Sequence, residues 1–415
     1  MRERLNVYYT GKPAGVLEYD DEYHCFQFTY DKTYLSSDGA TPLSMSLPLQ
    51  EEPAGVLESR YFFENLLPPE IVRRKLEKII HVSWNNVFGM LKALGGDCAG
   101  AISLYAEGDG PHPESERVLE LSDTEADELL KLLPQRPLLV DKIEGYRISG
   151  SGAQDKLIAI IRNGHLALPL YGAPSTHIIK PAVERLHDSV ANECFCQKLA
   201  QEIGLSAADS GILGIGDSSY YWTKRFDRIY DGEKVMRLHQ EDFCQAMRYE
   251  SEKKYEFEGG PTLVRCLSFI RESALGASGM LQFLDDFIFN FLIGNADAHA
   301  KNYAILYRDG TPTIAPLYDA MCTVIYKGVP TALAMKVGGV EECAEIRREN
   351  FIAMAEKASI RPQLVLSRLD AFAAKLPRKA EELKTRLSDE GHPSPVYDEI
   401  IGVIKRHLAQ TRADA

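Results

Sequence analysis

The sequence predicts an α+β protein in which a β-rich N-terminal domain precedes a body of two lobes. Short alternating strands fill about the first hundred residues, and a second group of short strands surrounds one amphipathic helix between residues 146 and 228. After residue 240 the patterns are mainly helical. A cleft between a sheet-rich lobe and a helical lobe is a common place for a ligand.

The composition is that of an ordinary globular chain. Its 415 residues are 45% apolar and 26% charged, which fits two or three domains. The opening MRERLNVYYTG has no apolar segment typical of a secretory signal, and the apolar run FIFNFLIG (287–294) is too short for a membrane span. The eight cysteines fit reduced thiols better than a disulfide framework. We therefore expect a cytoplasmic protein without a membrane contact.

Two further properties bear on partners and metals. The net charge of −13 argues against a protein that coats nucleic acid by itself, because phosphate binding needs a basic surface. Cys194 and Cys196 have no second Cys or His pair at ligand spacing nearby, so we expect no zinc site.

The N-terminal domain is predicted over residues 1–110. LNVYY, AGVLEY and CFQFTY alternate like strands of a small antiparallel sheet, and helical patterns follow around 65–81 and 84–95. AGAISLY (99–105) returns to a strand pattern. The segment GDGPHPESE (108–116), rich in Gly, Pro and acidic residues, is the predicted linker.

The second predicted unit, residues 111–228, is the small lobe. RIS, GSGAQD and KLIAII predict a strand, a glycine-rich turn and a strand, and HLALPL and STHIIK predict two more strands. VANECFCQKLAQEIGL (190–205) has helical spacing and ends near Gly204, and SYYWTKRFDR (219–228) predicts a further strand. Residues 229–415 form the predicted helical lobe, interrupted only around 300–325.

The strongest chemical signal is NADAHAKN (295–302) and the aspartate that follows it. A nearly all-apolar helix, MLQFLDDFIFNFLIG (280–294), leads into this polar loop, and a predicted hairpin (303–317) then delivers Asp319. Phosphoryl transfer needs one carboxylate to orient the attacking hydroxyl, and an amide oxygen and a second carboxylate to hold Mg²⁺. Protein kinases have four residues between the base and the metal-binding Asn, and four residues lie between Asp297 and Asn302 here. A polar loop capped by Asp and Asn explains the spacing alone, but not its combination with the buried helix and Asp319.

Three further signals fit the same chemistry. The turn from Ser149 to Gln154 is small and glycine-rich, as phosphate-binding turns are, although a simple hairpin turn fits it equally well. Lys180 closes an apolar strand, where an ammonium either reaches solvent or meets an anion such as ATP phosphate, and Glu193 on the next helix could orient it. His299 and Lys301 lie close to Asp297 in the same loop, and His299 could be a structural hydrogen-bonding residue or could contact the substrate.

These motifs resemble the HipA family of serine/threonine kinase toxins along nearly the whole chain. The resemblance is carried by ISGSGAQDKL, THIIKP, NECFCQKLAQEIGL, KRFDR, LHQEDFCQAM, EKKYEFEGGP, LIGNADAHAKN and APLYD, with PLSMSLPL and FFENLLPP in the N-terminal domain. It implies a protein-kinase-like two-lobed fold behind a β-rich accessory domain. It also implies a toxin that inhibits growth by phosphorylating a cytoplasmic protein, in the best-known case glutamyl-tRNA synthetase. The implied partner is a small helix-turn-helix antitoxin, and the complex would bind operator DNA only through that antitoxin.

The resemblance also implies roles for individual residues. Asp297 would be the catalytic base, Asn302 and Asp319 the magnesium ligands, and Lys180 a contact to the ATP phosphates. Lys224, Arg225 and Phe226 would form the hinge near adenine. The phosphate loop would comprise Gly150, Ser151, Gly152, Ala153, Gln154, Asp155 and Lys156.

One serine beside this loop has a regulatory role in the family. Ser149 corresponds to the serine that family members autophosphorylate to silence themselves, and Ser151 in the same turn is the other candidate. A phosphate of nearly two charges there would compete with the phosphates of ATP. Two alternatives to a protein kinase remain at this point: a small-molecule or lipid kinase with the same core, and an inactive binding module that acts as a corepressor with a DNA-binding antitoxin.

Overall fold

A computed structural model of the protein describes residues 2–111, 116–139, 142–150, 152–231 and 234–412. Ser151 and residues 112–115 of the predicted linker lie outside these residues. Within the described part of the chain, no helix has the length and apolar character required to cross a membrane.

The N-terminal domain is an antiparallel sheet with helices packed beside it. Its strand order is β3-β2-β1-β4, so the last strand of the domain pairs with the first. The three N-terminal strands and the strand near residue 102 are confirmed. The elements are β1 (Arg2–Tyr9), β2 (Lys12–Asp20), β3 (Cys25–Tyr30), α1 (Lys32–Leu35), α2 (Val56–Glu64), α3 (Glu70–Ile80), α4 (Val87–Leu94) and β4 (Ile102–Ala106).

The helix predicted around 65–81 is wrong at its start. Helix α2 ends at Glu64 and α3 begins only at Glu70, because Pro68 and Pro69 lack the N–H groups that a continuous helix needs. The segment between the two helices, which contains Asn65 and Leu66, is therefore not helical, and its polar groups can contact residues outside the N-terminal domain.

The small lobe is a six-stranded sheet with one long helix that packs between this sheet and the large lobe. The strand order is β5-β7-β6-β8-β10-β9. The strands predicted at KLIAII, HLALPL, STHIIK and SYYWTK and the helix near 190–205 are confirmed. The elements are β5 (Arg117–Glu120), α5 (Asp123–Leu132), β6 (Leu157–Arg162), β7 (His165–Leu170), β8 (His177–Lys180), α6 (Ser189–Glu202), β9 (Ser210–Ile215) and β10 (Ser218–Lys224).

The strand predicted before the glycine-rich turn is wrong. Ile148 makes only an isolated parallel bridge to Asp97 of the N-terminal domain, and Ser149 N donates to the Asp97 carbonyl at 3.2 Å. The chain entering the turn is thus paired with the N-terminal domain instead of the small-lobe sheet, a contact between distant segments that sequence spacing does not reveal.

The N-terminal domain and the small lobe share one apolar core. Phe63 and Leu91 of the first domain belong to the same buried cluster as Leu157 and Ile179 of the small lobe. A second large cluster fills the helical lobe and includes Phe195 of α6. The packing therefore joins the accessory domain to the small lobe as one body, with α6 attached to the large lobe.

The large lobe is mainly helical, as predicted, with small hairpins at its edge. Its elements are β11 (Arg228–Asp231), β12 (Lys234–Arg237), β13 (His239–Asp242), α7 (Phe243–Met247), α8 (Leu263–Glu272), α9 (Gly276–Ile293), β14 (Ala304–Arg308), β15 (Thr311–Ile314), β16 (Ala332–Val337), β17 (Val340–Glu342), α10 (Arg348–Lys357), α11 (Pro362–Asp389) and α12 (Val396–Gln410).

Two features of this lobe test the sequence patterns. The β14–β15 hairpin is confirmed, whereas the expectation of only helices after 325 is wrong because β16 and β17 form a second hairpin there. The buried helix α9 ends as predicted at Gly294, whose φ of 76° is left-handed. A Cβ at this position would lie 2.5 Å from a Val324 methyl and 2.8 Å from a Val403 methyl, so glycine alone fits this turn into the next loop.

Candidate active site

One cleft between the lobes, of about 320 Å³, collects nearly all the predicted site residues. Those that line it are Ser149, Gly150, Gly152, Ala153, Gln154, Lys156, Lys180, Lys224, Arg225, Phe226, Asp297, His299, Lys301, Asn302 and Asp319. Asp155 is not among the lining residues, and its carboxylate lies 3.8 Å from the Lys75 ammonium. Ser151 lies outside the residues that the structure describes.

The loop after α9 is braced on both sides. The Asn295 amide donates to Asn290 Oδ1 at 2.8 Å and to the Asp319 carbonyl at 3.4 Å, which ties the loop to its helix and to the returning aspartate. The Ala296 N–H donates to Thr323 Oγ1 at 2.8 Å. These bonds fix the backbone on the two sides from which Asp297 and Asp319 enter the cleft.

Asp297 is exposed to the cleft and carries a phenolic hydrogen bond. Tyr255 Oη donates to Asp297 Oδ1 at 2.5 Å. Desolvation by the surrounding protein raises the pKa of Asp297, and the hydrogen bond from Tyr255 offsets part of that rise. Tyr255 was not among the predicted site residues, because it lies 42 positions away in the sequence and no spacing rule connects the two.

Asn302 and Asp319 lie together at one side of the cleft. The Asn302 amide is 3.4 Å from Asp319 Oδ2, and the Asp319 side chain keeps 46% of its surface exposed. Desolvation would raise the pKa of Asp319, but the Lys180 ammonium outweighs it and holds that pKa well below its usual range. An ionised carboxylate beside an amide is the set of hard oxygen donors that Mg²⁺ prefers, so these two residues fit a magnesium ion.

Lys180 connects the lobes. Its ammonium donates to Glu193 Oε1 at 2.5 Å and also to Asp319 Oδ1, so one cation from β8 joins α6 to the large lobe. Burial would lower the pKa of Lys180, but the two carboxylates raise it above its usual value. Burial raises the pKa of Glu193 to about 7 despite the lysine. The structure thus brings Glu193 to the lysine that it could orient.

The glycine-rich loop covers a second lysine. Gly152 has a left-handed φ of 95°, and a Cβ there would lie 2.6 Å from Lys156 Nζ. Burial and the nearby Lys180 charge lower the pKa of Lys156 to about 8. Two cationic side chains and a small-residue loop therefore face the same part of the cleft, an arrangement that suits an anionic ligand.

Ser149 is turned away from solvent at the start of this loop. The residue is only 5% exposed, and its hydroxyl donates to the Leu66 carbonyl of the N-terminal domain. Because the preceding loop segment is also paired with Asp97, the N-terminal domain holds the glycine-rich loop in the cleft.

Lys301 contacts the N-terminal domain as well. Its ammonium donates to Asn65 Oδ1 at 2.5 Å and to Asp242 Oδ2 at 2.6 Å. The side chain thus has a structural role in addition to any contact with a ligand. The neighbouring residues Asn65 and Leu66 thus contact two different loops: Asn65 contacts the loop after α9, and Leu66 contacts the start of the glycine-rich loop.

His299 is buried close to Tyr255. Its Nδ1 has no hydrogen-bond partner among the described residues, and its ring meets the Tyr255 ring edge-on at 5.0 Å. Burial and the Lys254 ammonium hold the pKa of His299 well below its usual range, so the imidazole is neutral. An unpartnered buried polar atom beside the cleft suits a ligand contact.

The predicted hinge residues play unequal parts. The Phe226 ring packs against Tyr318 at 5.3 Å, and Lys224 Nζ lies 4.0 Å from the centre of the Tyr230 ring. The Arg225 guanidinium is directed into the protein, where it contacts a buried group of charges defined below. The Arg225 guanidinium is therefore occupied by protein groups and does not point into the cleft.

A buried charge cluster fixes this hinge to the N-terminal domain. Asp97 accepts hydrogen bonds from Arg228 at 2.9 Å and Arg237 at 3.1 Å, and it lies 3.4 Å from Arg225. Asp227 accepts from Arg225 at 2.7 Å. This group, hereafter the hinge charge cluster, has no spacing signal in the sequence, because Asp97 lies more than 100 residues before the arginines that it contacts.

Most of the chain matches the models of two known protein families. Residues 5–105 match the family model of the HipA N-terminal domain, and residues 148–380 match that of the HipA-like C-terminal domain. The chain belongs to the HipA family. The kinase-like α+β fold with a β-rich N-terminal domain, predicted from the sequence, is thereby confirmed.

Individual HipA-family proteins are similar over most of their length. Y4mE of Sinorhizobium fredii, whose name assigns it as a kinase only provisionally, is 37% identical over 412 residues, 97% of each chain. The serine/threonine-protein kinase toxin HipA of Shewanella oneidensis is 29% identical over 387 residues, 89% of this chain and 86% of that one. The solved complex of Shewanella oneidensis HipA with HipB and operator DNA contains a chain of TM-score 0.85 and 25% identity, covering 98% of this chain and 96% of that chain. This HipA-family protein is accordingly a kinase homologue throughout its length.

Proposed function

We propose that this protein is a serine/threonine protein kinase that uses ATP and Mg²⁺ and acts as the toxin of a toxin–antitoxin pair. One observation carries the proposal. Lys180 is bound to Glu193 and Asp319 in the same cleft that holds Asp297 and Asn302. Phosphoryl transfer requires this combination of an oriented lysine, a base and two hard-oxygen metal ligands.

Different residues of the cleft would bind different parts of the nucleotide. The loop from Gly150 to Lys156 and the ammonium of Lys180 would hold the phosphates, Asn302 and Asp319 would hold Mg²⁺, and the segment from Lys224 to Phe226 would border adenine. Bound ATP supplies the γ-phosphoryl group, and Mg²⁺ offsets the negative charge of its phosphates. We propose residues 1–110, 111–228 and 229–415 as the limits of the accessory domain, the small lobe and the large lobe.

Asp297 would act on the acceptor. Its carboxylate orients a serine or threonine hydroxyl and accepts the proton as the hydroxyl oxygen bonds to the γ-phosphorus. The bond from that phosphorus to the β–γ bridging oxygen breaks, and ADP leaves. The exposure of Asp297 to the cleft supports this role, because the base must meet an incoming substrate.

Ser149 would be the site of self-silencing. A phosphate on its oxygen carries nearly two negative charges and cannot remain in a buried position against the Leu66 carbonyl. The phosphorylated loop would therefore leave the cleft, and the phosphate-binding position would be lost. Ser151 is the alternative acceptor in the same loop.

The partners follow from the relatives. The Shewanella oneidensis protein is named as a toxin, and its solved complex contains HipB and operator DNA. We therefore assign this chain a small helix-turn-helix antitoxin, contact with DNA only through that antitoxin, and a cytoplasmic protein target whose phosphorylation inhibits growth, such as glutamyl-tRNA synthetase or another aminoacyl-tRNA synthetase. The net charge of −13 supports an indirect contact with DNA.

Intact-mass measurement after incubation with Mg-ATP tests the proposal. Wild type is expected to gain one phosphate, mapped to Ser149, while Asp297→Asn incorporates phosphate at least about 100-fold more slowly because a general base is lost. Asp370→Asn, an exposed carboxylate substitution outside the cleft, is the matched control and should behave as wild type. Absence of phosphate in wild type, with or without candidate synthetases, would point to a binding module instead.

A further inference from the structure

Tyr255 makes a contact that the proposed reaction does not use. Its phenol donates to Asp297 Oδ1 at 2.5 Å, and it reaches the base from the segment between α7 and α8. A catalytic carboxylate needs one oxygen to accept the proton of the substrate, so a donor on Oδ1 fixes the plane of the carboxylate and lets Oδ2 be presented to the acceptor.

The backbone around Tyr255 is fastened to the catalytic machinery. The Tyr255 carbonyl accepts from Gly260 N at 2.8 Å, which closes the segment into a compact turn. The neighbouring Lys254 carbonyl accepts from Ala300 N at 3.3 Å, inside the catalytic loop. These bonds hold the phenol at a constant position relative to Asp297.

The side chain of Glu256 secures the other end of the same turn. Its Oε2 accepts from Lys336 N of β16 at 2.8 Å. The Gly260 position is close-packed, because a Cβ there would lie 2.6 Å from the Lys253 carbonyl oxygen. The turn is therefore fixed at the catalytic loop and at the β16 hairpin, and it is unlike a loop that moves aside freely.

The Tyr255 ring is oriented from both sides. The Phe257 ring stacks on it with a centroid separation of 5.1 Å and an interplanar angle of 22°, and His299 contacts it edge-on. Phe257 is itself 67% exposed, so its ring lies over Tyr255 from the solvent side. Stacking of this kind limits the ring to one orientation, which aims the hydroxyl at Asp297.

We propose that Tyr255 is the positioning residue of the catalytic base, holding Asp297 by one oxygen so that the other meets the acceptor hydroxyl. The inference rests on the proposed kinase function. It differs from a competing explanation in which the phenol occupies the acceptor's place and merely blocks it. Removing a positioning donor slows phosphoryl transfer, whereas removing a blocking hydroxyl accelerates it.

Tyr255→Phe in the full chain tests the inference. The substitution keeps the ring that packs on Phe257 and His299 and removes only the hydroxyl. The readout is the initial rate of phosphate incorporation from Mg-ATP into the chain or into glutamyl-tRNA synthetase, whichever wild type modifies, as a function of pH and ATP concentration. The matched control is Tyr397→Phe, whose phenol donates to the His392 carbonyl at 2.8 Å away from the cleft.

A positioning role gives three expected results. The maximal rate of Tyr255→Phe falls about tenfold, and KM for ATP changes less than about twofold, because the lost bond lies at the base and not at the nucleotide. The acidic limb of the pH–rate profile moves upward by about one unit, because a carboxylate that loses a donor is harder to ionise. Tyr397→Phe shows none of these changes, and thermal melting confirms that both variants are folded.

Other outcomes are decisive in the opposite direction. A faster rate in Tyr255→Phe establishes the blocking explanation, and an unchanged rate and pH profile leave the phenol without a catalytic part; either result overturns the inference while the kinase function stands. If wild type transfers no phosphate, the proposed function fails and the positioning role fails with it. If Tyr255→Phe does not fold, Phe257→Leu is the second test, because it loosens the Tyr255 ring and keeps its hydroxyl. The rate of Phe257→Leu should then fall at least about threefold, and an unchanged rate overturns the inference.

Discussion

The substitution Asp97→Asn removes the central charge of the hinge charge cluster. Asp97 is 2% exposed and accepts from Arg228, Arg237 and the Ser175 hydroxyl, the last at 2.6 Å. Asparagine keeps the size of the side chain and part of its hydrogen bonding. The change is therefore almost purely one of charge, at a point where the N-terminal domain meets the hinge.

The expected cost is large because the remaining charges no longer balance. With Asp97 neutral, Arg225 and Arg228 keep their contact with Asp227, whereas Arg237 loses the carboxylate that it contacts in wild type. Breaking a buried ion pair by removing one partner costs about 3–5 kcal/mol, since the other charge is left uncompensated. That loss is a large part of the roughly 5–15 kcal/mol by which domains are stable.

Urea unfolding at pH 7 measures the effect, with Asp370→Asn as the matched control. Asp370 also contacts an arginine, Arg348 at 2.7 Å, but it is 55% exposed, and exposed pairs contribute less than about 1 kcal/mol. A difference of less than about 1 kcal/mol between the two variants would refute the assignment of a structural role to the cluster. Because the N-terminal domain and the small lobe share a core, they should unfold in one transition.

Acid titration provides an independent check on the same variant. Burial alone would raise the pKa values of Asp97 and Asp227, but the arginines hold both below the usual range, that of Asp227 at about 2. A carboxyl with a depressed pKa stabilises the fold above its unfolded pKa of about 3.9, and the stabilisation is lost as the pH falls through the folded value. Wild type should therefore lose stability steeply below about pH 4, and Asp97→Asn should show a shallower loss.

Three further predictions concern single residues. Asp286 is buried, and burial raises its pKa well above the usual value, so its contribution to stability should fall as the pH rises above the unfolded pKa of about 3.9; urea unfolding of Asp286→Asn should show a shallower decline with pH than wild type. Gly152→Ala forces a side chain into a left-handed conformation against Lys156, so Kd for an ATP analogue measured by calorimetry should rise at least about tenfold. Gly294→Ala places a methyl against Val324 and should lower the free energy of unfolding by about 2 kcal/mol or more, with a lower melting temperature. An unchanged pH slope, Kd or melting temperature would contradict the respective prediction.

The parts of the site that the sequence predicted are those held by local structure. Asp297 and Asn302 follow one helix, and Asp319 follows one hairpin, so spacing and periodicity place them. The helix α9 and its glycine end were predictable because a continuous apolar pattern stops at a residue that accepts a left-handed turn.

The parts that sequence patterns did not predict depend on contacts between distant segments. Tyr255 reaches Asp297, and Asn65 reaches Lys301 over 236 positions, with no spacing that relates them. Arg225 was assigned to the ligand, whereas its guanidinium is bound by Asp227. Docking of one domain on another sets such pairs, and it leaves no periodic signal in the chain.

The adjacent residues Asn65 and Leu66 have a consequence for the speed of nucleotide exchange. One is bonded to Lys301 of the large lobe and the other to Ser149 at the glycine-rich loop, so a two-residue stretch spans the mouth of the cleft. Any movement that separates the two lobes by more than a hydrogen-bond length must break one of these bonds. Under the proposed function, the rate at which ADP leaves the cleft would therefore depend on how often these two bonds break.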